Sequence, residues 1–336
     1  MNLSLKEKIG QMLFVGINDY NVTDILIKLV SDHYVGGIIL YKRNYKDYKD
    51  MLNLVNKLKQ ANKNNKIPLF IGIDQEGGRV NRLPSDIKNI PSAITFSRKN
   101  DIELLDNSID NISKVLNESG INLNFAPVLD IKRFDDNTSL GDRCYGENAK
   151  DVIKYGVRVM GKYKENNIIS VIKHFPGSGI SNIDSHYFLP KIKSIDNFKE
   201  DIIPFVYAMN NGSDMMMISH IKILDIDKRY PISFSSKFIN EYIKEKYNYK
   251  GLLITDDIKM RSISYRYTKN KILTNIINSG INMIMFKYRQ GDDKKIINKI
   301  EILVKNKKID IDKINNSVDK IISLKKKYNI NDNVIN

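Results

Sequence analysis

Short apolar runs recur eight times along the chain, and each is continuous rather than alternating with polar residues. They occupy 12–17, 37–41, 69–73, 123–128, 169–173, 214–219, 251–255 and 283–286. Continuous runs of this length are typical of strands that a parallel sheet buries on both faces. Most of the intervals between them carry helical periodicity, as at 46–62, 101–119, 148–166, 197–211 and 235–247. The pattern therefore predicts eight alternating strand and helix units.

Eight such units predict a (β/α)8 barrel of the TIM type, which belongs to the α/β class. A doubly wound open sheet is the structural alternative, but it usually has fewer strands, and no phosphate-binding glycine fingerprint follows the first run. The 336 residues, of which 42% are hydrophobic and 28% charged, contain enough apolar material for one large core. We therefore expect a single domain over 1–336, with no separate C-terminal domain.

Charge and cysteine content narrow the class of protein further. The formal net charge is +15, but the lysines are scattered and no basic patch is interleaved with aromatic residues, so we expect no specific nucleic-acid partner. No apolar stretch of about 18 residues occurs, and the N-terminal segment lacks the pattern of a cleaved signal. We therefore expect no membrane span and a cytoplasmic protein. The single cysteine, Cys144, cannot form an intramolecular disulfide, which is compatible with a reducing compartment.

Polar residues cluster at or just after the ends of the apolar runs. They are Asp74, Asp130, Lys173, His174, His220 and Asp256. In a (β/α)8 barrel the carboxyl ends of the strands form the face that carries the active site. Polar strand ends also serve as caps and turns, so each of these residues taken singly has a structural explanation of similar weight. Their shared position on one rim favours a functional site.

Two further motifs supply groups that can transfer protons and attack carbon. An Asp-Ser-His triplet, Asp184 to His186, follows a Lys-His-Phe-Pro-Gly-Ser-Gly run at 173–179 and precedes the pair Asp256 and Asp257. A histidine that a carboxylate orients can donate a proton, and a second carboxylate can act as a nucleophile. Adjacent strand residues point to opposite faces, so the two aspartates of the pair cannot both reach one substrate atom. Residue parity alone does not decide between them.

Several longer stretches follow one another in an order that is characteristic of one enzyme family. They are KEKIGQMLFVG from Lys6, VGGIILYKRN from Val35, GIDQEGGRVNRLP from Gly72, NFAPVLDI from Asn124, GDRCYG from Gly141, KHFPGSG followed by DSH, and GLLITDDIKM from Gly251. The chain resembles the compact, single-domain β-N-acetylhexosaminidase branch of glycoside hydrolase family 3. The similarity extends through most of the chain, and the segment IDKINNSVDKIISLKKKYNI resembles the last barrel helix of the family.

The resemblance implies roles for individual residues. It makes Asp256 the nucleophile, His186 the general acid/base and Asp184 the residue that orients His186. It also implies which residues contact the N-acetylglucosamine ring, namely Asp74, Arg82, Arg143, Lys173 and His174. The role of Asp130 and His220 could be limited to bracing loops. Where the family commonly has His-Gly at the end of the glycine-rich motif, this chain has Ser178 and Gly179, which removes an imidazole from the loop.

By the same resemblance the protein is a retaining exo-glycosidase. Its implied reaction is hydrolysis of terminal, non-reducing β-linked N-acetylglucosamine through a glycosyl-aspartate intermediate. The implied substrates are small carbohydrates, either muropeptides and other cell-wall fragments in peptidoglycan recycling or chitin-derived oligosaccharides. We expect no metal, no organic cofactor and a monomer. Two alternatives stay open, an N-acetylglucosaminide phosphorylase of the same family and a sugar-binding protein without turnover.

Overall fold

The computed structural model of the protein describes residues 2–18, 20, 23–135, 137, 139–181, 187–288 and 292–335, except the side chains of 292–294. Ten strands occur in this part of the chain: β1 (Leu13–Gly16), β2 (Gly37–Leu40), β3 (Phe70–Ile73), β4 (Leu123–Asn124), β5 (Ile169–Phe175), β6 (Lys191–Ile192), β7 (Met215–Ile218), β8 (Lys222–Ile223), β9 (Leu252–Thr255) and β10 (Ile284–Lys287).

Twelve α-helices occur in the same ranges: α1 (Leu5–Gln11), α2 (Asp24–Ser31), α3 (Tyr48–Asn62), α4 (Ala93–Lys99), α5 (Ile102–Glu118), α6 (Ala149–Asp151), α7 (Arg158–Glu165), α8 (Ile202–Asn210), α9 (Arg261–Ser264), α10 (Lys269–Ser279), α11 (Asp292–Lys305) and α12 (Ile311–Lys327). Two π-helical stretches complete the helical layer. Val152–Val157 joins α6 to α7, and Phe238–Lys246 lies between β8 and β9. Each of the five intervals predicted to be helical contains one of these elements, so those predictions are confirmed.

Eight strands form one parallel sheet, in the order β10-β1-β2-β3-β4-β5-β7-β9. The sheet closes on itself, because a parallel bridge joins Ile254 to Met283 and the Thr255 amide donates to the Met283 carbonyl at 3.1 Å. Each barrel strand overlaps one of the eight predicted runs. The prediction of a (β/α)8 barrel is confirmed, and the open-sheet alternative is wrong.

Two strands end two or more residues away from the end of the predicted run. The fourth run was predicted over 123–128, but β4 ends at Asn124. Pro127 lies in that run and has no amide hydrogen to donate to a strand ladder, and pairing resumes only at the isolated bridge between Val128 and Lys173. The fifth strand is longer than predicted, since β5 continues to Phe175, where its pairing with β7 shifts register. The site residues at 173–175 therefore belong to a strand end.

The barrel interior is packed with aromatic rings that two strand glycines accommodate. The ring centroid of Phe14 lies 6.3 Å from that of Phe70 and 5.1 Å from that of Phe125. A Cβ atom added at Gly37 would lie 2.5 Å from the Phe14 ring, and one at Gly72 would lie 2.9 Å from the Phe125 ring. Large and small residues thus alternate across the barrel, which fills its centre and leaves only its ends for a site.

The amino-terminal end of the barrel is closed by α1 and α12. Lys325 of α12 is only 2% exposed, and its Nζ donates to Gln11 Oε1 at 2.9 Å and to the carbonyls of Gly36 and Pro68 at 2.9 and 2.6 Å. The same Nζ lies 4.5 Å from the ring centroid of Phe70. Burial lowers the pKa of Lys325 to about 7. Polar contacts of Lys325 thus close this end of the barrel.

Among the helices of the described ranges, none is long and apolar enough to span a membrane.

Candidate active site

A cavity of about 450 Å³ opens at the carboxyl ends of the barrel strands. Six of the residues predicted from the sequence line it, namely Asp74, Arg82, Arg143, Lys173, His174 and Asp256. The first two follow β3, the third follows β4, the next two lie in β5, and the last follows β9. Because these segments are far apart in the chain, only the closed barrel brings the six side chains to one place.

A buried ion network forms one wall of the cavity. Lys173, 2% exposed, donates from Nζ to Asp74 Oδ1 at 2.8 Å and contacts Glu76 Oε1 at 2.5 Å. Arg143 donates to both oxygens of Glu76, from Nε at 2.7 Å and from Nη2 at 2.9 Å. Burial alone would raise the pKa of Glu76, but the charges of Arg143 and Lys173 and their hydrogen bonds hold this pKa well below its usual value. Glu76 therefore stays ionised and fixes two cations in place.

Asp130 fixes His174 and the loop beyond it. The Asp130 carboxylate is fully buried, and its Oδ2 lies 2.6 Å from Nδ1 of His174. Its Oδ1 accepts from the backbone amide of Ser178 at 2.7 Å and from that of His174 at 3.3 Å. Since Nδ1 is held by the carboxylate, Nε2 is the ring nitrogen left for contacts in the cavity. Asp130 thus acts through His174 and Ser178.

The two aspartates after β9 have different surroundings. The backbone amide of Asp256 donates to the Ile218 carbonyl of β7 at 3.2 Å, so this residue continues the strand pairing. The carboxylate of Asp257 accepts from the backbone amides of Lys259 at 2.9 Å and Lys287 at 3.4 Å, and burial raises the pKa of Asp257. Both residues line the cavity. The backbone contacts of Asp257 brace the turn that follows β9.

His220 lies behind this turn rather than in the cavity lining. It is 1% exposed, and its Nδ1 lies 2.7 Å from Ser233 Oγ, whereas Nε2 has no hydrogen-bond partner within the described residues. Burial lowers the pKa of His220, and the negative charge of Asp256 partly opposes that shift. The ring is therefore a buried neutral support for the end of β7 and the turn at Asp256.

Asp184 and His186, the predicted proton-transfer pair, lie outside the described residues. On the near side of that segment, Ser178 lines the cavity. On the far side, the Tyr187 ring is contacted by Arg261, whose guanidinium carbon lies 5.7 Å from the ring centroid. The catalytic roles of the two residues stay predictions.

Other residues of the cavity lining were not predicted from the sequence. They are Tyr41, Glu76, Arg79, Val80, Ser139, Leu140, Met217, Met260, Met285 and Lys287. Glu76 could have been found, because it stands two residues after Asp74 in the same motif. The three methionines are apolar, so the sequence indicates only that they are core residues. Within the described ranges, no group of three or more histidine, cysteine, aspartate or glutamate side chains could hold a metal ion.

Cys144 is a packing residue. Its side chain is fully buried against Val128 and Leu140, and burial raises the pKa of the Cys144 thiol. A protonated thiol without solvent access is a poor nucleophile.

Comparison with known proteins identifies the family of the chain. Residues 4–324 match the glycosyl hydrolase family 3 N-terminal domain. The chain belongs to glycosyl hydrolase family 3. Among curated relatives, the beta-hexosaminidase of Photobacterium profundum is 32% identical over 261 residues, which cover 77% of this chain and 76% of that protein. Beta-hexosaminidase A of Pseudoalteromonas piscicida is 29% identical over 282 residues, which cover 77% of this chain but only 47% of that protein.

Solved structures of similar proteins have the same fold. A glycoside hydrolase family 3 beta-N-acetylglucosaminidase from Paenibacillus sp. str. FPU-7 superposes with a TM-score of 0.93 at 29% identity, over 98% of this chain and 63% of that one. A beta-N-acetylhexosaminidase from Beutenbergia cavernae DSM 12333 superposes with a TM-score of 0.87 over 97% of this chain and 99% of that one, and at 20% identity it supports the fold alone. The predicted family and the prediction of a glycosidase are thus confirmed at the level of the family.

Proposed function

We propose that the protein hydrolyses terminal, non-reducing β-linked N-acetylglucosamine with retention of configuration, with Asp256 as the nucleophile. The observation that carries the proposal is the position of Asp256 in one cavity with the buried network of Asp74, Glu76, Arg143 and Lys173. A nucleophile and fixed polar groups in one cavity are what a glycosidase needs to bind and attack one sugar ring. The similarity to beta-hexosaminidases supports the choice of an N-acetylated sugar.

The reaction proceeds by two displacements at the anomeric carbon. Asp256 attacks that carbon, the glycosidic bond breaks, and His186 gives a proton to the leaving oxygen. His186, now neutral, then removes a proton from water, whose oxygen attacks the same carbon and releases Asp256. Asp184 accepts a hydrogen bond from His186 and sets its tautomer. The products are the aglycone with a free hydroxyl and β-N-acetylglucosamine.

The other lining residues hold the sugar. Asp74 uses Oδ1 for Lys173, and within the described chain its Oδ2 accepts no hydrogen bond, which leaves it for a sugar hydroxyl. Arg143 and Lys173, both held by Glu76, donate from fixed positions. The Nε of Arg82 is buried and lacks a partner among the described residues. A buried donor of this kind is normally satisfied, and a substrate oxygen would satisfy it.

The direct test measures release of 4-nitrophenol from 4-nitrophenyl N-acetyl-β-D-glucosaminide. Asp256→Asn should abolish most turnover, while Asp319→Asn, a change of the same kind at an exposed residue of α12, should leave it intact. Each protein is assayed with and without inorganic phosphate, and the sugar product and its anomer are identified by nuclear magnetic resonance. Free β-N-acetylglucosamine supports the proposal. A sugar 1-phosphate indicates a phosphorylase, and full activity of Asp256→Asn refutes the nucleophile.

The finer parts of the proposal rest on the resemblance of the motifs. We propose that residues 1–336 act as one domain and as a monomer in the cytoplasm, on peptidoglycan-derived fragments during recycling rather than on chitin-derived ones. Release of N-acetylglucosamine from a disaccharide peptide should therefore exceed release from N,N'-diacetylchitobiose. Equal or reversed rates of N-acetylglucosamine release from the two substrates would refute the choice of cell-wall fragments.

Light scattering after size-exclusion chromatography tests whether the protein is a monomer.

A further inference from the structure

Tyr41 follows β2 and lines the cavity. A Cβ atom added at Gly16, the last residue of β1, would lie 2.6 Å from the Tyr41 hydroxyl and 2.9 Å from its ring. The phenol therefore occupies the space above the end of β1 that any side chain at position 16 would take. Glycine at this position makes room for the hydroxyl, so the ends of the neighbouring strands β1 and β2 together set the position of the hydroxyl.

Two cations lie against the ring of Tyr41. The guanidinium carbon of Arg43 lies 4.2 Å from the ring centroid, and Arg43 is itself fixed, because its Nη2 donates to the Ile17 carbonyl at 3.1 Å and to Asn18 Oδ1 at 2.9 Å. The Nζ of Lys287 lies 5.9 Å from the same centroid. Two cations on one ring reduce its freedom to rotate away. The hydroxyl is thus pre-organised before any ligand binds.

Tyr41 donates from its backbone amide to Asn44 Oδ1 at 2.7 Å, and its side chain is among those that line the cavity, where a ligand can reach it. A tyrosine hydroxyl can both donate and accept a hydrogen bond. Burial raises the pKa of Tyr41, and the charges of Asp74 and Asp257 raise it further. The group therefore remains protonated over any working pH and can donate. Both carboxylates that influence it belong to the cavity.

We propose that the Tyr41 hydroxyl donates a hydrogen bond to the sugar hydroxyl whose proton Asp74 accepts. A sugar hydroxyl has one proton to give and lone pairs to receive, so it can bridge a carboxylate and a phenol. Tyr41 is then a specificity residue that rejects sugars lacking that hydroxyl. This inference rests on the proposed function, because it requires a sugar in the cavity.

The test compares Tyr41→Phe with Tyr155→Phe. The matched control also loses a hydroxyl, but that hydroxyl donates to Asn100 Oδ1 at 2.7 Å and lies outside the cavity lining. Wild type and both variants are assayed on the N-acetyl-β-glucosaminide and on its 3-, 4- and 6-deoxy forms. Tyr41→Phe should lower kcat/KM for the full substrate by about three- to tenfold, and one deoxy form should show no further loss.

Tyr155→Phe should keep the wild-type pattern across all four substrates. Additive losses in Tyr41→Phe for every deoxy form would overturn the inference and leave the proposed function standing. Calorimetric titration with N-acetylglucosamine supplies a second readout that does not need turnover, and Tyr41→Phe should weaken this binding by a similar factor. A wild-type protein that neither turns over the substrate nor binds the sugar would refute both the function and the role of Tyr41.

Discussion

Replacing Glu76 by glutamine removes the charge that holds two cations of the site, while it keeps the size of the side chain. In the folded protein this carboxylate accepts from Nε and Nη2 of Arg143 at 2.7 and 2.9 Å and contacts Lys173 Nζ at 2.5 Å. Glutamine offers one acceptor oxygen in place of two and directs an amide group at a cation. Asp74, which accepts from Lys173, would then be the remaining carboxylate of the network.

The expected cost is large, because the network is buried. Removing one partner of a buried ion pair costs about 3–5 kcal/mol of unfolding free energy. Lys173 keeps Asp74 at 2.8 Å, and Arg143 keeps the Ser139 carbonyl at 2.9 Å. We therefore expect a loss near the lower end, about 3 kcal/mol at pH 7. Substrate binding should weaken too, since both cations lose their fixed positions.

The pH dependence gives this prediction a sharper form. The pKa of Glu76 lies below its ordinary value of 4.5 in the folded protein. Below pH 4.5 the unfolded chain binds a proton that the folded protein does not, so stability falls as the pH falls. The contribution of Glu76 is therefore fully present above pH 4.5 and is lost in more acid solution. The difference between wild type and Glu76→Gln should shrink as the pH is lowered from 7 to 3.5.

Urea unfolding followed by circular dichroism at both pH values measures the effect. Glu245→Gln is the control, because this glutamate is exposed and should give wild-type stability. A difference at pH 7 of no more than about 1 kcal/mol, the value of an exposed ion pair, would refute the claim that the network is a buried anchor. An equal difference at both pH values would refute the assignment of the effect to the charge of Glu76.

Two further changes test the ends of the barrel. Burial lowers the pKa of Lys325 from 10.5 to about 7. Between these two values the unfolded chain binds a proton that the folded protein does not, so the unfolding free energy of the wild type should rise with pH, by at most about 1.4 kcal/mol per pH unit. Lys325→Met should abolish this slope, while Lys326→Met, a change at an exposed residue, should keep it. An unchanged slope in urea unfolding of Lys325→Met would contradict this. A Cβ at Gly179 would lie 1.9 Å from the Ile131 carbonyl oxygen, so Gly179→Ala should lower stability by about 1–3 kcal/mol and reduce glycosidase activity. Gly161→Ala in α7 is the control, because a Cβ atom there would meet nothing within 4 Å, and its unfolding free energy should equal or exceed that of the wild type. Wild-type stability and activity of Gly179→Ala would contradict the prediction and show that the loop can move.

The order of strands and helices was predictable because buried strands and the helices that cover them have characteristic hydrophobic patterns over short stretches of chain. A strand that is covered on both faces has a continuous apolar run in its sequence. The helix that covers it has apolar residues that recur with a period of 3.6 residues. The eight barrel strands fall within or overlap the eight runs, and the larger deviations are local, at Pro127 and at the register shift near Phe175. Four residues of the cavity lining were predictable in the same way, since polar residues at strand ends stand out against apolar neighbours; they are Asp74, Lys173, His174 and Asp256.

Pairings within the site were not predictable from the sequence. Lys173 and Asp74 are 99 residues apart, and Arg143 and Glu76 are 67 apart, so no local pattern connects them. The resemblance implied sugar contacts for Arg143 and Lys173 but did not indicate that Glu76 holds both, because the folded barrel decides which cations a buried carboxylate contacts. Asp130 was only a candidate brace until the contact with His174 Nδ1 at 2.6 Å defined its partner.

The sequence by itself determined the barrel, the family and the strand ends where chemistry can occur, because hydrophobic periodicity and motif order act over short stretches of chain. Only the tertiary structure decided which of those ends meet in one cavity, which carboxylate holds Arg143 and Lys173, and that Tyr41 lies above Gly16 with its hydroxyl in the site. These features depend on closure of the barrel and on the register between neighbouring strands, which place side chains from distant segments within a few ångströms of one another.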